Sequence, residues 1–240
     1  MISTAWNQEH YCGGDGVIVA ADMQQEWILK WWWNHYSASN SSPVTFFDLG
    51  MSKSASLWCQ SKGTVIPFSL PQSTFKSQSE IPLDTQKTWE SYNSSRVWEC
   101  RNQWLHKPFL ILQSPYDRTL WIDIDCEVKQ SLTPLFSYCD THDGISMVLL
   151  YLKEATVINS GVVVARRHAP AFSYWAESVL EKKAVCDETA LIEAQKKHPI
   201  HIHPLPLEFN FLSFWKTPSK MGIVHHNGES GKHEILKQVK

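Results

Sequence analysis

The segment Leu120-Trp-Ile-Asp-Ile-Asp-Cys-Glu-Val128 carries the densest chemical signal in the chain. It reads as an apolar strand over 119–125 that ends in two acids. Alternation along an extended backbone puts Asp123 and Asp125 on one face and turns Ile122 and Ile124 into the protein. Two carboxylates that close repel each other unless a cation lies between them. Hard oxygen donors suit magnesium or manganese better than zinc or copper. A third donor is at hand in Gly222-Ile-Val-His-His-Asn-Gly228, where His225 with two carboxylates suits manganese. Alone, an Asp-x-Asp is common and His225 reads as a histidine packed at a strand end; only together do they point to a cation. His201-Ile-His203, with Pro204 directly after it, reads as structural.

These residues need a frame. Apolar, β-rich runs at 16–21, 43–49, 63–68, 119–125, 144–150 and 161–165 alternate with helix-like segments, and short strands are expected at 201–205 and 222–225. Trp27, Ile28, Trp31, Trp32 and Tyr36 recur at helical spacing and predict a heavily buried helix. Trp33 falls off that stripe, where a ring could stack on a sugar. Further helices are expected over 96–112, with Pro108 marking a break or a new first turn, and over 169–183 and 187–197. The stretch 70–88 reads as a surface loop. The tail 233–240 reads as a frayed terminal helix, with weak membrane-surface contact left open. Continuous apolar strands alternating with helices predict an α/β fold: one Rossmann-like layered α/β/α domain with a mostly parallel central sheet. Ligands of such sheets bind beyond the carboxyl ends of the strands. Asp22, just past the first strand, therefore joins Asp123 and Asp125 at one crevice.

Composition narrows the classes. The chain has 240 residues, 43% of them hydrophobic and 19% charged, enough to bury a core. A net charge of −2 speaks against a phosphate-tracking nucleic-acid binder. Six cysteines without a CxxC pair read as reduced thiols, mostly buried. The first ten residues lack a cationic stretch followed by an apolar one, so no secretory signal is expected and the location is read as cytoplasmic. The apolar stretch 145–165 is interrupted by Lys153, Glu154 and Asn159 and is too polar for a transmembrane segment. Gly13-Gly-Asp-Gly16 precedes the first strand, the wrong order for a nucleotidyltransferase phosphate loop or a dinucleotide fingerprint. No GxxxxGK[ST] is present, and Asn159-Ser-Gly161 lacks the GxSxG frame of a serine hydrolase.

A series of short motifs then falls into a recognisable order: Val19-Ala-Ala-Asp22, Ile122-Asp-Ile-Asp125 with Leu132-Thr-Pro-Leu-Phe136, Ile158-Asn-Ser-Gly-Val162, Asp187-Glu-Thr-Ala-Leu191, Leu205-Pro-Leu-Glu-Phe-Asn210 and His225-His-Asn-Gly228. In that order and spacing, from about 16 to 232, the chain resembles glycosyltransferase family 8, which includes glycogenin and bacterial lipopolysaccharide galactosyl- and glucosyltransferases. The resemblance implies the GT-A fold and metal-dependent, anomer-retaining transfer of a hexose from a nucleoside-diphospho-sugar, a UDP-hexose, with Mn2+ or Mg2+ as cofactor.

Carried over by position, Ala20, Ala21 and Asp22 line the nucleoside pocket. Asp123, Asp125 and His225 hold the cation, and Ile124 between the acids contacts the donor. Asn159, Ser160 and Gly161 approach the donor sugar, and Asp187 and Glu188 match the Asp-Gln pair beside the anomeric carbon. Lys107, sixteen positions before Asp123, stands where the family often carries a basic residue facing the nucleotide-sugar. Gly228 and Lys232 would close over the diphosphate. Two departures stand out. The usual HxxGxxKPW is broken, with Lys232 one residue late and Pro-Trp missing, and Glu188 replaces glutamine. The resemblance therefore leaves a second reading, a non-catalytic nucleotide-sugar-binding protein with a decayed site. The acceptor, whether carbohydrate, lipid-linked or protein, is not legible. One domain over 1–240 is expected, with a nucleotide-binding half at about 16–128 and an acceptor and sugar half at about 129–240.

Overall fold

The structure, a computed structural model, describes residues 2–93, 97–152, 155–182, 184–215 and 220–239. The chain begins with a parallel β-α-β-α-β ladder: β1 (Asp15–Ala21), α1 (Leu29–Ser37), β2 (Val44–Asp48), α2 (Lys53–Gln60) and β3 (Thr64–Pro67). Three helices follow, α3 (Leu83–Asn93), α4 (Val97–Leu105) and α5 (Lys107–Leu112), and lead into β4 (Arg118–Ile122) beside β1. The second half contains β5 (Cys126–Val128), β6 (Ile145–Leu152), β7 (Ala155–Arg166), α6 (Pro170–Leu180), α7 (Asp187–Lys197), β8 (His203–Leu205), β9 (Phe211–Leu212), β10 (Ile223–His225) and α8 (Gly228–Gln238).

The main sheet has seven strands in the order β3-β2-β1-β4-β7-β6-β8. Only β7 runs against its neighbours, so the sheet is mostly parallel, as the apolar runs predict. A three-stranded sheet, β5-β10-β9, sits beside it. Val17, Ile18 and Val19 of β1 are fully buried because helices cover both faces, the condition that makes an interior parallel strand uniformly apolar. Trp32 stacks on Tyr36 with centroids 5.1 Å apart and meets Phe46 edge-on in one core layer. Phe109, Phe172 and Trp175 fill the other. Trp33 packs on Tyr36 and Phe46 at the rim of the first layer rather than standing clear of it.

Several elements depart from the sequence reading. α2 was not anticipated; Ser52 caps it through Ala55 N–H, and Glu26 holds the Ser52 amide and hydroxyl. The expected loop at 70–88 contains two single 3-10 turns and the start of α3. The expected helix 96–112 is two helices, with Pro108 in the first turn of the second, where its missing N–H costs nothing. The tail is not frayed: α8 begins at Gly228, buries Ile235 completely and is tied at its end by Trp31 Nε1 donating to Gln238 at 2.8 Å. Arg96, Lys183 and Lys240, which bounded expected helices, lie outside the described residues. Among the described residues no helix is long and apolar enough to cross a membrane.

Candidate active site

The expected strand 119–125 stops at Ile122, and Asp123 to Asp125 form a turn. Asp123 N–H donates to Gly161 O at 2.8 Å, and Cys126 N–H donates back to Asp123 O at 3.0 Å. Strand alternation therefore does not align the two acids. The turn does, by bending the backbone between them. His225 arrives from the small sheet, where β10 pairs antiparallel with β5 and sets His225 opposite Cys126. Its Nε2 lies 3.3 Å from Asp125 Oδ1 and 3.9 Å from Asp123 Oδ2. Trp121, two residues before Asp123, donates from Nε1 to Asp123 Oδ1 at 2.6 Å. Lys232 Nζ stands 3.5 Å from Asp125 Oδ2.

The charges are strongly interdependent. Burial works against ionising Asp125, but Lys232 and His225 outweigh it and hold Asp125 well below the usual carboxylate range. Burial pushes Asp123 up, against the opposing pull of Lys107 and His225. For His225, burial disfavours the charged form, yet Asp125 raises it overall.

Facing the acids is a break in β7. Pairing with β6 jumps from Met147↔Val163 to Val148↔Asn159, so Ser160 to Val162 bulge out of that ladder. The bulge turns Asn159, Ser160 and Gly161 into the cleft. Ser160 then becomes a hub. Lys107 Nζ donates to its carbonyl at 2.9 Å and to its hydroxyl at 2.8 Å, and the hydroxyl donates to Asp187 Oδ2 at 2.7 Å. Its amide donates to Glu188 Oε1 at 3.0 Å. Lys107, 3% exposed, also lies 3.2 Å from Asp123 Oδ1 and 2.9 Å from Asp187 Oδ2. Burial disfavours its charge, but Asp123 and Asp187 more than compensate and raise its pKa. Asp187 and Glu188 open α7, whose N-terminus favours negative charge. Burial and the adjacent Asp187 still push Glu188 up to about 7.

All these side chains line one cleft of about 640 Å³ at the carboxyl ends of β1 and β4. Ala20, Ala21, Asp22, Ile124, Gly228 and Lys232 line it too, so the residues expected to hold the donor and the cation all lie in this cleft, whereas Trp33 does not line it. The acid at the end of the first strand is used structurally: Asp22 Oδ1 accepts the Gln24 and Gln25 amides, and Oδ2 accepts Gln103 Nε2 at 2.9 Å. Gly228 has φ +73°, a left-handed conformation that glycine adopts without strain, where the chain enters α8.

Sequence reading missed three contributors. Trp121 and Gln103 gave no signal, being an apolar strand residue and one glutamine among many. Asn210 stood inside a quoted motif without a role. The structure buries it completely between Asn159 and His225.

The donor set fits a hard divalent cation. Two carboxylates face one imidazole nitrogen, an oxygen and nitrogen set of the kind manganese accepts, with Lys107 and Lys232 offsetting part of the acids' charge. Cys126 also lies close to Asp125 and His225. Its thiol is buried, is directed at Gly161 O, and is pushed well above the usual thiol range by burial and by both acids, so it stays protonated and does not serve a hard cation.

No protein-family model and no curated protein matches the sequence. Solved structures do match. The galactosyltransferase LgtC, in complex with donor and acceptor sugar analogues, is similar at 14% identity and TM-score 0.53, over 94% of this chain and 95% of that one. An active-site glutamine-to-glutamate mutant of LgtC is similar at 16% and TM-score 0.56, over 94% and 96%. GlyE from Streptococcus pneumoniae TIGR4, a glycosyltransferase, is similar at 14% and 0.58, over 90% of this chain and 56% of that one. Mouse xyloside xylosyltransferase 1 is similar at 12% and 0.56, over 88% and 97%. At such identities the likeness is one of fold, and it establishes the GT-A arrangement.

Proposed function

We propose that the protein is a glycosyltransferase that moves a hexose from a nucleoside-diphospho-sugar, a UDP-sugar, to an acceptor with retention at the anomeric carbon, using Mn2+ or Mg2+. The observation that carries this reading is the meeting of Asp123, Asp125 and His225 at the strand ends, across one cleft from Asp187 and Glu188. The fold shared with solved glycosyltransferases supports it.

Each side chain has a task in such a transfer. Asp123, Asp125 and His225 hold the cation, which when bound acts as a Lewis acid toward the diphosphate leaving group. Lys232, partly exposed beside Asp125, meets the phosphates from α8 as Gly228 lets the chain close over them. Lys107 sits beneath the donor and offsets the charge of Asp123 and Asp187 while the diphosphate arrives. Ala20, Ala21 and Asp22 form the nucleoside end, with Ile124 against the donor. Asn159, Ser160 and Gly161 border the sugar, and Asp187 steadies positive charge growing at its anomeric carbon. Glu188, its pKa raised to about 7, is protonated in a substantial share of molecules at pH 7 and mostly protonated below it. A protonated carboxyl presents one donor and one acceptor, as a neutral carboxamide does, so this departure from the family's glutamine is compatible with transfer.

Six cysteine thiols, four of them buried and none in a disulfide, suit a reducing compartment and support a cytoplasmic location. A thermal-shift panel of nucleotide-sugars with and without manganese tests the donor reading. A specific stabilisation needing both partners is expected, followed by sugar transfer or slow hydrolysis of the donor with the anomer retained in the product NMR spectrum. Tight binding with neither transfer nor hydrolysis would instead identify a binding protein.

A further inference from the structure

We propose that Asn210 is a positioning residue that sets the orientation of His225. The inference rests on the reading of Asp123, Asp125 and His225 as a cation site and goes one step behind it. The backbone amide of Gly161 can only donate. That N–H donates to Asn159 Oδ1 at 3.0 Å, which makes this atom the carboxamide oxygen. Asn210 approaches the same oxygen at 2.5 Å and the Asn159 carbonyl at 3.2 Å. Two acceptors can be met only by a donor, so the amino group of Asn210 faces them.

Its oxygen must then face the other way, where it lies 3.0 Å from His225 Nδ1. An amide oxygen cannot donate, so Nδ1 carries the hydrogen. Nε2 is left to face Asp123 and Asp125, able to take a cation there. One backbone amide thus determines, through two asparagines, which imidazole nitrogen is offered to the acids. Asn210 and His225 are buried, and the ring lies close against Gly161: a methyl group at position 161 would collide with it and crowd Asn210 Oδ1.

The test compares Asn210→Leu with Asn210→Asp. Leucine keeps the volume and removes both contacts. Aspartate keeps an acceptor for Nδ1–H but cannot donate to Asn159. The Asn159 contact is lost in both, so the difference between them isolates the His225 arm. The first readout needs no metal: a solvent-protected ring Nδ1–H resonance in the NMR spectrum, assigned to His225 by its loss in His225→Gln. It is expected in the parent chain and in Asn210→Asp and absent from Asn210→Leu. The second is binding of manganese alone, followed by its electron paramagnetic resonance signal. Asn210→Leu is expected to weaken it about 10- to 100-fold, the cost usual for losing a partner behind a metal-bound histidine, with Asn210→Asp within a few-fold of the parent.

Unchanged Nδ1–H protection and manganese affinity in Asn210→Leu overturn the proposal, and so do equal losses in the two variants. If leucine prevents folding, a parent-like resonance and affinity in Asn210→Asp support the proposal and their loss overturns it. A parent chain that binds no manganese while showing the protected Nδ1–H overturns the cation reading and leaves the orienting role standing, so the two failures are told apart.

Discussion

Glu188 is an acid of the cleft without an ion-pair partner at contact distance, drawn on by Lys107 only from farther off. Among the described residues no lysine, arginine or histidine lies within ion-pairing distance of it, whereas Asp187 has Lys107, Asp123 has Lys107 and His225, and Asp125 has Lys232 and His225. Its pKa, raised from 4.5 to about 7, is mainly a cost of burial. Between those values the folded chain keeps a proton that the unfolded chain releases, so stability falls as pH rises through that window and stays lower above it. The full shift corresponds to about 3 kcal/mol, and the contribution here is smaller because the carboxyl retains some solvent contact. Glu188→Gln is therefore expected to melt higher than the parent at pH 8 and at nearly the same temperature at pH 4.5. Its transfer rate should lack the inflection near pH 7 that the parent shows. A melting difference independent of pH would contradict the assignment. A second residue-scale expectation concerns Gly161. Because a methyl group there would overlap the His225 ring, Gly161→Ala should cost about 1–3 kcal/mol in denaturant unfolding and abolish manganese binding.

The element scale is where sequence reading and structure part most clearly. The strand bearing the acids was legible from Leu120-Trp-Ile122, but its end was not: Asp123 and Asp125 converge through a turn tied to Gly161 of β7, a contact between residues 38 positions apart (161 − 123). α7 was legible because Asp187 and Glu188 open it and Lys196 and Lys197 close it. α8 was read only in its tail, since Gly228 and Gly231 lack helical propensity. Tertiary contacts override that: Gly231 lies flat against the His226 backbone, and Ile235 enters the core. α8 carries Lys232 to Asp125, so its docking controls that contact. Ile235→Ala is expected to raise amide exchange throughout α8 while β1 and β4 stay protected. The full cost of such a cavity, about 2–5 kcal/mol, would appear globally only if α8 unfolds together with the sheet.

At the scale of the whole molecule, both halves of the chain build one sheet. β4 from the first half pairs along five residues with β7 from the second, and the cleft takes residues from both. Separating the chain at 128 exposes the interior edges of β4 and β7 and opens both core layers. Neither 1–128 nor 129–240 is expected to show cooperative unfolding by circular dichroism; a cooperative transition in either half alone would argue for two domains.

What the sequence determined by itself was the sheet, through buried apolar runs that only a covered parallel sheet accommodates, and the short acid, serine and histidine motifs placed at its strand ends. The tertiary structure alone decided how those groups face one another. A β-bulge, a three-residue turn and a second small sheet bring positions 123, 160, 187, 210 and 225 together. Contacts that far apart along the chain leave no periodicity for a local reading to detect. The orientation of one buried imidazole depends on hydrogen-bond partners that only the folded chain assembles.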